Sequence, residues 1–228
     1  MIKFYYSGAP NPTKVALFLE EAGLQYEPIP VDTRKGDQHK KEFLAINPNA
    51  KVPAIVDGDA TVFDSSAILL YLGEKTGKFM PAKSDKLRGE LLSWLMFIAS
   101  GVGPYSGQAV HFRNYAPDKI EYAINRYMYE AQRHYAIVEA RLAKQRYMVG
   151  DTYTIVDMAL WGWARLIPNA LGEQYWAKFP SLKKLIDEIS ARPAAGRALA
   201  IKDKHTFKAE YDEEAKKVMF RHMHEKVA

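Results

Sequence analysis

The chain contains no cysteine in its 228 residues, which excludes disulfides, thiolate metal sites and a thiol nucleophile carried by the protein itself. Apolar runs are short, and none approaches the ~18 residues that a membrane span needs. No basic, apolar and small-residue leader opens the sequence. These absences predict a chain that is neither exported nor embedded in a membrane, in keeping with a reducing, cytoplasmic compartment. Charge of one sign is scarce as well. The 32 Lys and Arg face 27 Asp and Glu, for a net +5. Because the two signs are interspersed, they describe a solvated surface rather than a nucleic-acid stripe. Metal-ligand spacing is also missing. His111 has no second His, Cys or acid at helical distance, and His222 and His224 sit in a charged tail, so no metal site is expected.

What is present is an ordinary globular composition, 48% hydrophobic and 26% charged, long enough for one or two buried cores. The opening part alternates strand and helix patterns. Ile2 to Tyr6 is β-prone. Asn11-Pro12 reads as an N-cap followed by proline at the first helical position. Val15, Leu17, Phe18, Leu19 and Ala22 supply that helix's buried face, and Gly23 ends it. A second strand is expected over 26–31 and a short helix over 42–46. Ala54-Ile55-Val56 and Thr61-Val62-Phe63 flank Asp57-Gly58-Asp59, a hairpin turn. A third helix runs from Ser65 to Thr76, where Gly77 stops it.

From residue 84 the strand signal gives way to helical periods over 87–99, 120–142, 155–166 and 182–191, with Gly101-Val102-Gly103-Pro104 kinking the first. Thr154-Ile155-Val156-Asp157 is a capping box, with Tyr153 and Met158 in the staple positions. The expected organisation is therefore an α/β domain over 1–78, of the thioredoxin-like order βαβ then ββα, and an all-helical domain over 84–228. Residues 77–83 link the two. The second domain ends in an extension beyond residue 202, in which Phe207, Tyr211, Val218 and Phe220 either fold back over a pocket mouth or line a solvated helix.

Residues 48–70, PNAKVPAIVDGDATVFDSSAILL, carry the densest functional signal. Pro53, inside an apolar run, cannot donate to a sheet ladder. If the Val52-Pro53 bond is cis, the N–H and C=O of Val52 turn outward to pair with an extended ligand. Asp64-Ser65-Ser66 reads as a helix N-terminus, whose leading N–H groups bind carboxylates. Main-chain donors and acceptors beside an anion site suit a small peptide.

The order VPAI then DSSAILLYL resembles the glutathione-binding half of the cytosolic glutathione transferases, and the likeness runs from IKFYYSGAPNPTKVALFLEE to ARPAAGRAL. SGAPN, GDQ, GQAVHFRNYAP and INRY are most similar to the nu-class, disulfide-bond reductase branch and its fungal regulatory relatives. Gly150-Asp151 with the capping box is similar to the family's folding signature. The resemblance implies glutathione as co-substrate without a metal, and a homodimer without nucleic-acid or membrane partners. Reactions implied are reduction of small disulfides or hydroperoxides, or conjugation of glutathione to electrophiles. A non-catalytic binding or regulatory module of the same fold is the alternative.

Glutathione reacts as a thiolate, and a thiol of pKa ~8.5 is only about 3% ionised at pH 7. Neutral donors and a helix N-terminus can lower that pKa. In the family the donor follows the first strand. The usual Ser or Thr position matches Ala9, which has no donor, so the resemblance passes the role to Asn11, with Ser7 as runner-up. Asn11 either caps its helix alone or also directs its amide at the sulfur. By the same resemblance Val52, before Pro53, pairs with the cysteinyl unit. Asp64 meets the γ-glutamyl ammonium, where the branch usually has Glu, and Ser65 meets the adjacent carboxylate. Gln38 and Lys51 contact the glycyl end or are merely solvated. Arg126 reaches glutathione or makes an intrahelical pair. Tyr5 and Tyr6 are packing residues. The 107–115 stretch lines a second-substrate site or packs the helical core.

Overall fold

Alternation in Ile2–Tyr6 (β1) buries Ile2, Phe4 and Tyr6 on one face. In this computed structural model, which describes residues 1–221, Tyr26–Pro30 (β2) pairs parallel with β1. Ala54–Asp57 (β3) pairs antiparallel on the other side of β1, and Ala60–Phe63 (β4) completes the order β2-β1-β3-β4. A parallel neighbour needs a crossover, and the helix Pro10–Ala22 (α1) supplies it. Gly58, at φ 62°, closes the β3–β4 hairpin. A 3-10 turn at Asp37–His39 and the short helix Lys41–Leu44 (α2) lead into β3, and Ser65–Thr76 (α3) follows β4. Val15, Leu17, Phe18 and Leu19 of α1 and Ile68 and Leu69 of α3 are fully buried. A second apolar cluster joins Val31, Phe43 and Ala54 with Tyr5, Ile46 and Val52. This is the thioredoxin-like unit read from the sequence.

The start of α1 corrects one expectation. The helix begins at Pro10, with extended Ala9 as its N-cap residue, so Asn11 is the second helical residue and not the cap. Proline at the first position loses nothing there, because that N–H has no intrahelical partner anyway and its fixed φ suits the turn. Pro10 takes the place that the sequence reading gave to Pro12.

Beyond α3, strands cease among the described residues. Asp85–Phe97 (α4) passes through a π-helical turn, Ile98–Val102, into Gly103–Asn114 (α5). The expected kink is thus a π-turn. A Cβ on Gly101 would lie 2.5 Å from the His134 ring, so only glycine permits this approach. Glu121–Leu142 (α6), Ile155–Ala164 (α7), Ile167–Ala170 (α8), Pro180–Ser190 (α9), Pro193–Ala200 (α10) and Glu213–Met219 (α11) complete the helices. The described chain forms two units, residues 1–71 together with 194–221, and residues 72–193. The extension that the sequence division leaves with the helical part packs on the α/β part. The pair His222-X-His224 lies outside the described residues.

The capping box forms at α7. Thr154 Oγ1 accepts from the Val156 N–H at 3.3 Å, and Asp157 Oδ2 accepts from the Thr154 N–H at 2.8 Å. Asp157 Oδ1 also accepts the Met148 N–H at 2.8 Å, which ties the preceding loop to the helix start. Burial pushes the Asp157 carboxyl up to about 6 against the opposing pull of these bonds, so it is ionised at neutral pH. Asp157→Ala strips several buried donors of one charged acceptor, and urea unfolding is expected to show a loss of about 3 kcal/mol or more. Thr154→Ala is expected to cost about 1 kcal/mol.

Candidate functional site

Register places the site. β1 pairs Tyr5 with Ala54, and β3 pairs Ala54 with Phe63. Ser7 follows β1, Val52 precedes β3 and Ser65 follows β4, and these pairs hold those three strand ends together, so the three residues stand at the same end of the sheet. The Val52-Pro53 bond is cis, and Val52 precedes the β3 ladder, which starts at Ala54. Its side chain packs in the Val31–Phe43–Ala54 cluster, which anchors the main chain at this edge.

The turn before Val52 is braced by a residue that the sequence reading missed. Asn47, 1% exposed, donates from Nδ2 to the Lys51 carbonyl at 2.6 Å and accepts the Asn49 N–H at 3.0 Å. Its Asn-Pro-Asn context is a turn signal that could have marked it. Lys51 itself is exposed.

Asp64 sits at φ 71°, the left-handed region that Asp tolerates better than most residues. Its Oδ1 accepts the N–H groups of Ser66 at 2.9 Å and Ala67 at 3.1 Å. The Ile68 N–H returns to the Asp64 carbonyl at 2.9 Å. Asp64 thus caps α3, and of the leading N–H groups that of Ser65 is the one Asp64 does not take. Ser65 and Ser66 are both buried, and the Ser66 hydroxyl oxygen has no hydrogen-bond partner.

Behind Ser65 lies Lys14 of α1, also unforeseen. It is 2% exposed, and its Nζ donates to Ser65 Oγ at 3.4 Å. Burial pushes the ammonium down to about 8, with the Asp64 charge pulling the other way. A lysine inside the apolar run 12–19 was the available signal, since buried Lys is rare. Asn11 stands one turn before Lys14 on α1, on the same face. Pro10 and Pro12 have no N–H, and the Thr13 N–H donates to the Ala9 carbonyl at 3.4 Å. Asn11 therefore supplies the leading main-chain N–H of α1. Ser7 Oγ accepts the Ala9 N–H at 3.4 Å, which leaves its own hydrogen to be given elsewhere.

The tyrosines pack, as expected. Tyr5 meets Phe43 with centroids 5.9 Å apart. Tyr6 donates to the Ile201 carbonyl at 2.9 Å and lies 2.8 Å from His205 Nδ1, and burial pushes its phenol up to about 12. Gln38 is not a solvated loop residue. It is 5% exposed, its Nε2 donates to the carbonyls of Thr33 at 3.2 Å and Val218 at 3.4 Å, and its Oε1 has no partner. The extension holds this loop elsewhere too. Asp32 Oδ2 accepts the Lys208 N–H at 2.6 Å, Arg34 donates to the Lys208 carbonyl at 3.2 Å, and His39 Nε2 lies 3.1 Å from the Val218 carbonyl. Arg126 lies on α6 in the other unit, 3.8 Å from Glu130. There Phe112 and Tyr127 stack at 5.2 Å, whereas Tyr115 is exposed. No cluster of metal-binding side chains occurs among the described residues.

Comparison with known proteins follows the same division. The family described as "Glutathione S-transferase, N-terminal domain" matches residues 1–74, and "Glutathione S-transferase, C-terminal domain" matches 95–193. Escherichia coli (strain K12) disulfide-bond oxidoreductase YfcG is 43% identical over 208 residues, covering 87% of this chain and 94% of that protein. The Saccharomyces cerevisiae transcriptional regulator URE2 is 32% identical over 236 residues, covering 86% and 66%. A Burkholderia graminis glutathione transferase, solved with two glutathione molecules bound per subunit, superposes with a TM-score of 0.83 at 32% identity, covering 90% of this chain and 89% of that one.

Two outcomes test the site's framework. Lys14 has a folded pKa below its ordinary 10.5, so the unfolded chain binds the extra proton between about 8 and 10.5, and stability rises with pH over that window. At pH 7 Lys14→Met is expected to be more stable than wild type by up to roughly 3 kcal/mol, an advantage that shrinks to nothing by pH ~10.5. Paired urea melts across pH measure the difference directly. Removing the chain after Lys202 should unpin residues 32–39. Amide exchange in that loop is expected to accelerate at least tenfold, with about 2 kcal/mol lost in unfolding.

Proposed function

The chain belongs to the glutathione S-transferase family in both of its halves, and from that premise we propose that it binds glutathione at this sheet end, holds it as a thiolate and reduces small disulfides with it. The observation that carries the reading is that Ser7, Val52 and Ser65 stand at one end of the sheet. Val52, outside the ladder and beside a cis bond, and the start of α3 are the groups that a peptide and its carboxylate would meet there, in a chain without a cysteine. The naming of YfcG as a disulfide-bond oxidoreductase and the two glutathiones of the Burkholderia protein favour disulfide exchange over conjugation. The same proposal places the chain in the nu-class, as a cytoplasmic homodimer. Hydroperoxide reduction and conjugation to electrophiles would draw on the same thiolate.

Without a protein thiol, sulfur exchange runs between ligand sulfurs. The bound thiolate attacks one sulfur of a disulfide RSSR, forming GS–SR while RS⁻ leaves and takes a proton. A second glutathione thiolate then attacks the glutathione sulfur of GS–SR, giving GSSG and another RS⁻. Two glutathiones are oxidised and one disulfide is reduced. In this reading the Asn11 amide and the Ser7 hydroxyl donate to the thiolate, and Val52 pairs with the cysteinyl unit. Asp64 keeps Oδ2 for the γ-glutamyl ammonium, Ser65 takes the carboxylate, and the exposed Lys51 serves the glycyl end; Gln38, expected there too, gives its amide hydrogens to the Thr33 and Val218 carbonyls instead.

A coupled assay with a small disulfide, a hydroperoxide and an aryl halide tests the reaction. Disulfide turnover is expected to dominate. Absence of any thiolate absorbance on adding glutathione would instead favour a binding module, the reading for which the similarity to URE2 speaks. Asn11→Ala is expected to raise the bound thiol's pKa by one to two units, about 1.4–2.7 kcal/mol. Turnover at neutral pH then drops and partly recovers as pH rises. Because Asn11 is not a cap, the variant loses no N-cap, and its pH profile is compared with wild type on samples shown to be folded. A shift produced by Ser7→Ala and not by Asn11→Ala would reassign the donor.

A further inference from the structure

A buried ammonium needs a counter-charge. Lys14 is 2% exposed and its one partner among the described residues is the Ser65 hydroxyl, a neutral group. The charged group facing it is Asp64, whose Oδ1 is committed to capping α3. Isolated charges are expensive to bury, and replacing such a lysine by an apolar residue would remove that cost. The position instead puts a cation behind the start of α3, against Ser65, and the next residue, Ser66, carries a buried hydroxyl that lacks a partner. A cation without a paired carboxylate at a helix start suits an anion with several acceptor lone pairs.

Resting on the glutathione reading above, we infer that the missing counter-ion of Lys14 is the α-carboxylate of the γ-glutamyl group, and that Lys14 acts through Ser65 as a positioning residue that selects peptides carrying that carboxylate. Because Nζ donates to Ser65 Oγ, the hydroxyl must turn its own hydrogen away from Lys14. That hydrogen and the Ser65 N–H then both address the incoming carboxylate, which reaches the cation's field in a low-dielectric setting. The lowered ammonium pKa supports the arrangement, since the ligand's charge would restore the proton that burial loosens.

The test uses thiol-free probes, so that thiolate formation does not enter the proton count. S-methylglutathione is compared with its analogue lacking the γ-glutamyl α-carboxyl group, by titration calorimetry on the full chain. Wild type is expected to prefer S-methylglutathione by tenfold or more. At pH 8, buffers of different ionisation enthalpy should reveal uptake of up to about half a proton per site with S-methylglutathione, and less with the analogue. Lys14→Met is expected to weaken S-methylglutathione at least tenfold, to erase most of the preference and to lose the Lys14 share of the uptake. Lys14→Arg should recover the preference without the pH-8 uptake. A merely structural lysine would move both peptides equally and leave the proton count unchanged. Wild type that binds both peptides alike, or takes up no more protons with S-methylglutathione than with the analogue, overturns the inference without any variant. Wild type that binds neither peptide overturns the glutathione reading and this inference with it.

Discussion

β3 is a four-residue strand, yet it carries the antiparallel register with a neighbour on each side. A slip of one residue on either side would turn every side chain of β3 to the opposite face and undo its packing. Apolar packing of Ala54 and Ile55, both fully buried, makes such a slip costly. That Ser7, Val52 and Ser65 share one end of the sheet follows from that one alignment, although none of the three belongs to a strand. The proposed ligand edge would thus be set by hydrogen bonds made several residues away from it.

Charge at this edge is arranged with unusual economy. Two prolines remove N–H groups from the start of α1 and leave that of Asn11 to lead. Asp64 spends one carboxylate oxygen on the start of α3, so that Ser65 is the donor left over. Lys14 adds a positive charge that no described carboxylate neutralises by direct pairing. The local surroundings favour an anion through preorganised groups rather than through a cluster of exposed cations, in agreement with a modest net charge of +5.

Much of this was legible in the sequence. The helix from Ser65 to Thr76, the Asp57-Gly58-Asp59 hairpin and the capping box at Thr154 depend on local chemistry that a few residues spell out, and they form where expected. The glycine pair before Pro104 announced a distortion, although not that it would be a π-turn, within which Gly101 packs against the His134 ring. The start of α1 was misread because two prolines, two residues apart, offered two equivalent first positions, and the extended backbone of Ala9 decided between them. Lys14, Asn47 and the burial of Gln38 were hidden for a different reason. Each depends on partners far along the chain or on depth, which polarity alone does not reveal. The 3-10 turn at Ile201–Lys204 and α11 carry no strong period; the first meets Tyr6 of β1, and the second meets Gln38 and His39 through Val218.

That meeting has a bearing on how the protein is made. Tyr6 bonds to Ile201 across 195 positions, and Gln38 to Val218 across 180. During synthesis the first strands leave the ribosome long before their last partners exist. The helical stretch between them is contiguous and can close on itself as soon as it emerges, whereas the α/β unit stays incomplete until Val218 has emerged. The α/β part is therefore translated before the helical stretch and completed after it. In the interval, the polar groups of residues 32–39 that the extension later satisfies must be covered by water or by a chaperone.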